Sequence, residues 1–150
     1  MILHERIRCV GASTRKFIMD RLLDDVCDGA ANLTGACAVA AEINDRVLSS
    51  IGIRSRFMVG EWNCHGHCWN EIVLPNVVLC LDVTATQFGD YDEVILLPHD
   101  AYHSMCFMHG LKHVKTRVHG CFDDWDNQSP IGYRSIIDEH VKSYRKSCPK

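Results

Sequence analysis

The spacing of apolar residues changes at Gly52, and this change limits the fold more than any other feature of the chain. Upstream, Phe17, Ile18, Leu22, Leu23 and Val26 recur at helical spacing between Ser13 and Cys27, with Ser13 or Thr14 as cap and Gly29 as stop. After the turn-like stretch Ala30 to Gly35, a second helix runs to about Ser50. Its inner stripe is Ala36, Ala40, Ile43, Val47 and Ile51, and Glu42, Asp45, Arg46 and Ser49 lie off it. Downstream, Arg54 to Trp62, His67 to Leu74 and Val77 to Ala85 are short runs rich in β-branched and aromatic residues. Gly60, Gly66 and Pro75-Asn76 break them, so they are predicted as antiparallel strands. Glu93 to Leu97 is a further strand ended by Pro98, and His99 to Gly120 has no clean period. Asp123 to Asn127 has the composition of a solvated loop. Tyr133 to Ser147 is predicted as an amphipathic helix with Ile136, Ile137, His140 and Val141 inward. The expected class is α+β: a single domain over residues 1–150, helices first, then a meander sheet on which they pack.

Composition supports one core and excludes some partners. At 150 residues and 47% hydrophobic content the chain can bury one sizeable core, and two ordinary domains would be small. Sixteen basic against nineteen acidic side chains give a net charge of -3, without the polycationic footprint of nucleic-acid binding. No segment has the uncharged length of a membrane span, and the mixed charges of the N-terminus do not resemble a signal peptide. Nine cysteines, an odd number scattered through core-forming sequence, suit reduced thiols better than a disulfide scaffold. The expectation is a cytoplasmic protein without structural disulfides, nucleic acid or membrane partner; delivery into another cell is compatible with it.

Within this frame Cys37, His67 and Asp82 form the candidate catalytic set. Cys37 follows small residues at the start of the second helix, where unpaired N–H groups and the helix dipole favour an anion and lower a thiol pKa. A symmetric hairpin centred on Pro75-Asn76 makes paired residue numbers sum to 151, which sets Trp69 opposite Asp82 and His67 opposite Thr84. His67, Trp69, Asp82 and Thr84 then share one face, with Asp82 diagonal to His67 at roughly 7–8 Å, within reach of an imidazole and a carboxylate. A one-residue slip would destroy the arrangement. Taken alone, a cysteine among alanines is a small buried hydrophobe. The order and register of all three residues argue instead for a thiol, a base and an orienting carboxylate. Trp69 is expected as a pocket wall, Glu71 as a solvated or sheet-edge residue, and Cys80 as core.

Three phrases carry a resemblance to a known superfamily: Leu33-Thr34-Gly35-Ala36-Cys37, Gly66-His67-Cys68-Trp69-Asn70-Glu71, and Leu81-Asp82 through Gln87-Phe88. Residues 33–88, about a third of the chain, resemble papain-like cysteine enzymes of the transglutaminase-like and arylamine-acetyltransferase-like branches. The resemblance implies a thiolate nucleophile at Cys37, a base then acid at His67 and an orienting carboxylate at Asp82, with no cofactor. Two departures stand out: Cys68 directly follows His67, and no Gln or Trp immediately precedes Cys37. Asn32 and Gln87 are the candidate oxyanion donors in its place. The expected activity is attack on an amide of a protein, a peptide or a small molecule. Hydrolysis would make a peptidase or glutamine deamidase, and an amine acceptor would make a transglutaminase or acyltransferase.

The rival class is a silent or zinc-stabilised binding module of the same fold. Cys64, His65, His67 and Cys68 fall within five residues, and His99/His103 or His109/His113 would supply a helical second pair. One short loop cannot set four ligands tetrahedrally, so no metal ligand is assigned. Oligomeric state is left open by the sequence.

Overall fold

The computed structural model describes residues 2–22, 33, 35–62, 65–108, 111–116 and 133–148. Their architecture is α+β. Helix α1 (Leu3–Arg21) precedes α2 (Cys37–Ser50). Strands β1 (Ser55–Trp62), β2 (His65–Leu74), β3 (Val77–Asp82) and β4 (Ile95–Pro98) follow, then α3 (His99–Met108), β5 (Leu111–Thr116) and α4 (Tyr133–Ser147). The sheet is antiparallel throughout, in the order β4-β3-β2-β1-β5. Four strands form the expected meander, and β5 adds to the free edge of β1.

Helix α1 begins ten residues earlier than its apolar spacing suggests and ends at Arg21; the expected continuation to Cys27 lies outside the described residues. The Glu5 carboxylate holds the start by accepting from the Ile2 N–H at 3.2 Å. Its buried stripe is Ile7, Val10, Gly11, Thr14, Phe17 and Ile18, which includes small and polar positions that an apolar count misses. Gly11 permits a close approach, because a Cβ there would lie 2.9 Å from Val94 and 3.0 Å from Leu81 and Val83. Farther along, buried Arg15 donates to the Val83 carbonyl at 2.8 Å and to Thr86 Oγ1 at 3.2 Å. Helix α1 therefore fixes the segment just beyond β3.

Each sheet face has its own core. On one, Ile72, Leu79, Leu81, Val83 and Leu96 pack with Ile7, Ile18, Val39, Ile43 and Val47 of α1 and α2 and with Ile137 of α4. On the other, Met58, Trp69, Cys80 and Ile95 meet Tyr102 and Cys106 of α3. Helix α3 corrects the reading of 99–120 as aperiodic: its inward face is tyrosine, histidine and cysteine, residues that become core only against matching polar groups on the sheet. Helix α4 has the expected bounds, and His140 stacks on Phe17 at 4.3 Å.

The β2–β3 hairpin has the expected register, from Leu74↔Val77 to Asn70↔Leu81. Strand β3 ends at Asp82, three residues sooner than expected, because the Asp82 side chain accepts from the Thr84 N–H at 2.9 Å and turns the chain into a 3-10 turn over Ala85–Phe88. The first half of β2, His67 included, consequently has no β3 neighbour.

Candidate active site

The start of α2 is delivered by a backbone in an uncommon conformation. Leu33 has φ 65° and Gly35 φ 88°, and Leu33, a non-glycine residue, is held left-handed with its side chain fully buried. The Ala36 N–H closes the turn on the Leu33 carbonyl at 3.1 Å. Ala36 then caps α2 without a side-chain hydrogen bond, and no acidic residue occupies the first turn. Cys37 thus stands at the first helical position, where N–H groups have no intrahelical acceptor and the dipole favours a thiolate.

Helix α2 is bolted to β2 by amides. Asn44 Nδ2 donates to Asn70 Oδ1 at 3.1 Å, and Asn70 Nδ2 donates to the Ala41 carbonyl at 2.9 Å, all of it buried. Cys68 lies on the same side of β2 as Asn70. Its thiol and its backbone N–H both reach the Cys37 sulfur. The Cys37 sulfur is also hydrogen-bonded to the His67 ring. Past the end of β3, the helix start meets a histidine that belongs to the opposite sheet face.

The imidazole is fully buried and tightly held. His67 Nε2 lies 2.7 Å from Asp82 Oδ2, which leaves Nδ1 for the thiol, and Gln87 Nε2 lies 3.4 Å from Nδ1. Trp69 stacks on the ring at 5.9 Å and Phe88 meets it edge-on at 4.9 Å. Asp82 has every lone pair engaged: Oδ2 also accepts from the Tyr102 hydroxyl at 2.9 Å, and Oδ1 accepts from the Thr84 N–H at 2.9 Å and the Thr84 hydroxyl at 3.3 Å.

These contacts set the charges. The Cys68 thiol holds the Cys37 pKa well below the ordinary thiol range; burial opposes it, and His67 adds a hydrogen bond and its charge. Burial alone would drive His67 down, but the Asp82 carboxylate outweighs it and, with Cys37, pushes the ring up to about 9. Burial likewise works against the Asp82 charge, and the His67 cation overrides it, so its pKa is lowered. Both shifts run in the direction that favours a thiolate beside an imidazolium.

Of the residues singled out from sequence, Cys37, His67, Asp82, Trp69 and Gln87 come together. Gln87 spans the site, its Oε1 accepting from the Gly35 N–H at 3.5 Å while its amide nitrogen faces His67. Asn32 lies outside the described residues. Trp69 is 1% exposed and backs the imidazole as part of the core; it is not the wall of an open pocket. Tyr102, which donates to Asp82, is the member of this cluster that sequence reasoning missed, and its only trace was the spacing of the neighbouring His99 and His103. Glu71, expected as a solvated or sheet-edge residue, is buried against α3, with Oε1 2.8 Å from His99 Nδ1. Cys64 and His109 of the proposed zinc sets lie outside the described residues, and His67 is engaged with Asp82 and Cys37.

No protein-family model, curated protein or solved structure matches this chain. The site therefore has to be interpreted from its own chemistry.

Proposed function

We propose that the chain is a papain-like cysteine enzyme, of transglutaminase-like type, that attacks an amide carbonyl through Cys37. The observation that carries this reading is the convergence of the Cys37 sulfur, the His67 ring and the Asp82 carboxylate at the uncapped start of a helix, from three separate elements. In the reaction the Cys37 thiolate adds to the carbonyl carbon and the carbonyl electron pair moves to oxygen. The backbone N–H of Cys37 faces that oxyanion. With a proton on His67 Nδ1, Gln87 Nε2 loses its ring acceptor, and its N–H becomes a second donor to the oxyanion. His67 Nδ1–H then protonates the departing nitrogen as the C–N bond breaks, leaving a thioester on Cys37. Water attacks this thioester with His67 as base, which releases the acid and restores the thiol. An amine in the place of water gives transfer by the same steps.

The substrate proposed is a protein, peptide or small amide, without nucleic acid, membrane or cofactor. Cytoplasmic placement is supported by the six free cysteines among the described residues, Cys9, Cys37, Cys68, Cys80, Cys106 and Cys148. Among those residues no helix is long and apolar enough to cross a membrane.

Iodoacetamide labelling across pH, with adducts mapped by mass, tests the nucleophile. Cys37 should label selectively and well below the pH at which an ordinary thiol does, and His67→Ala should move that onset toward the ordinary thiol range. Equal labelling of several cysteines would reject the reading. Intact masses of candidate substrates then separate outcomes, since deamidation adds about 1 Da and hydrolysis of a backbone amide splits the chain.

A further inference from the structure

Glu71, Cys80, His99 and His103 present one ligand atom each, and these four atoms all lie within 4.8 Å of one another. They come from three elements. Glu71 and Cys80 are directly paired across β2 and β3, and His99 and His103 stand one turn apart on α3 with ring centroids 4.1 Å apart. We propose that this cluster is a tetrahedral binding site for a divalent transition metal, zinc above all. The inference does not depend on the catalytic reading of Cys37.

The donor set is the first argument. Two imidazole nitrogens, one thiolate sulfur and one carboxylate oxygen suit zinc, whereas calcium and magnesium take oxygen ligands. Spacing is the second. Zinc bonds of about 2.0–2.3 Å place tetrahedral ligands about 3.4 Å apart. Glu71 Oε1 is 2.8 Å from His99 Nδ1 and 3.9 Å from His103 Nε2, so the present distances bracket that edge. Side-chain rotations that bring the four atoms from within 4.8 Å of one another to that edge would complete the geometry.

The third argument is an imbalance of donors. His103 Nε2 is buried and makes no hydrogen bond, so one of the nitrogens aimed at Glu71 has no partner of its own. A cation at the centre would satisfy Glu71, His99, His103 and the Cys80 sulfur at once. Access comes from the His99 side, where an open hollow of about 550 Å³ is bordered by Glu71, His99, Arg56 and Asp100. All four positions come from protein, which describes a closed structural site and not one with an open catalytic position. Tyr102 is the residue before His103 on α3, and Cys80 is two residues before Asp82 on β3. A bound ion would therefore brace the helix that delivers the Tyr102 hydroxyl to Asp82.

Cobalt(II) titration of the reduced full-length chain carrying Cys37→Ser tests this without interference from the reactive thiol. The expected result is one equivalent of cobalt with the intense d–d bands of a tetrahedral ion and a thiolate-to-cobalt charge-transfer band, both lost on adding zinc. His99→Ala/His103→Ala should lose the d–d bands, and Cys80→Ser should lose the charge-transfer band. Because Cys80 is core and its replacement endangers folding, thermal melting provides a second measurement. Zinc should raise the Tm of the unsubstituted chain and leave the double histidine variant unmoved. No cobalt spectrum, or a spectrum and zinc-dependent Tm that survive in the double variant, would overturn the proposal.

Discussion

Two polar clusters lie on one face of the same two strands, and they are built on opposite principles. At the His67–Asp82 end donors and acceptors alternate: the carboxylate receives four hydrogen bonds, and the imidazole lies between it and the thiol. At the Glu71–Cys80 end the groups converge on one point: His99 donates to the Glu71 carboxylate at 2.8 Å, while His103 Nε2 lies 3.9 Å from the same oxygen without a hydrogen bond and a thiol is close by. An alternating chain is complete in itself, whereas a cluster that leaves one imidazole nitrogen unsatisfied has room for a cation in place of a proton. Two buried carboxylates on neighbouring strands, Asp82 lying two residues beyond Glu71's partner Cys80, can thus take unrelated roles, decided by the hydrogens around them.

The largest expected effect breaks the comparison at the sulfur. Cys37→Ser should lower turnover by about 10⁶-fold, as removal of a nucleophile does, yet leave the cobalt spectrum intact. Turnover and metal binding falling together would mean that the two clusters are one site.

Asp82→Asn is next, at about 10⁴-fold in turnover, because an amide misorients the imidazole tautomer and withdraws the charge that holds His67 protonated. The same change should reshape the dependence of stability on pH. With its lowered pKa, Asp82 stabilises the fold above the ordinary carboxylate range, and that contribution is lost as pH falls through the folded value. His67, raised to about 9, stabilises it below the ordinary imidazole pKa, and this is lost as pH rises through about 9. Urea midpoints across pH should therefore fall toward both ends in the natural chain and flatten in the variant.

The smallest effect should come from Tyr102→Phe, which removes one of four donors to Asp82 and costs about 2 kcal/mol of stability. Turnover should fall by about tenfold, and the alkaline limb of the rate profile should move up, since a carboxylate with fewer donors holds the imidazolium more strongly. An unmoved profile would make Tyr102 a packing residue only.

The contrast also explains what the sequence discloses. The hairpin register was legible because Pro75-Asn76 marks the turn and alternate residues mark the faces, and the start of α2 was legible because small residues and Gly35 announce it. Local rules were sufficient for both. Helix α3 was not legible, since Tyr102, His103 and Cys106 face inward only because Asp82, Glu71 and Cys80 wait on the sheet. Glu71 was misread as a solvated or sheet-edge residue for the same reason: its partner His99 sits on the unread helix. The early start of α1 escaped because Gly11, which follows buried Val10, is buried by close approach and not by hydrophobicity.

The Asn44–Asn70 pair has a consequence for how the chain could drift. A helix that advances by one residue turns about 100° and slides about 1.5 Å, enough to swing the sulfur away from the imidazole altogether. Greasy contacts between α2 and the sheet tolerate small rotations, but two interlocked amides, with a second bond to the Ala41 carbonyl, admit a single angular setting. The pair works as an indexing pin, and swapping both amides for leucines would be expected to keep the helix while blurring the aim of its first residue.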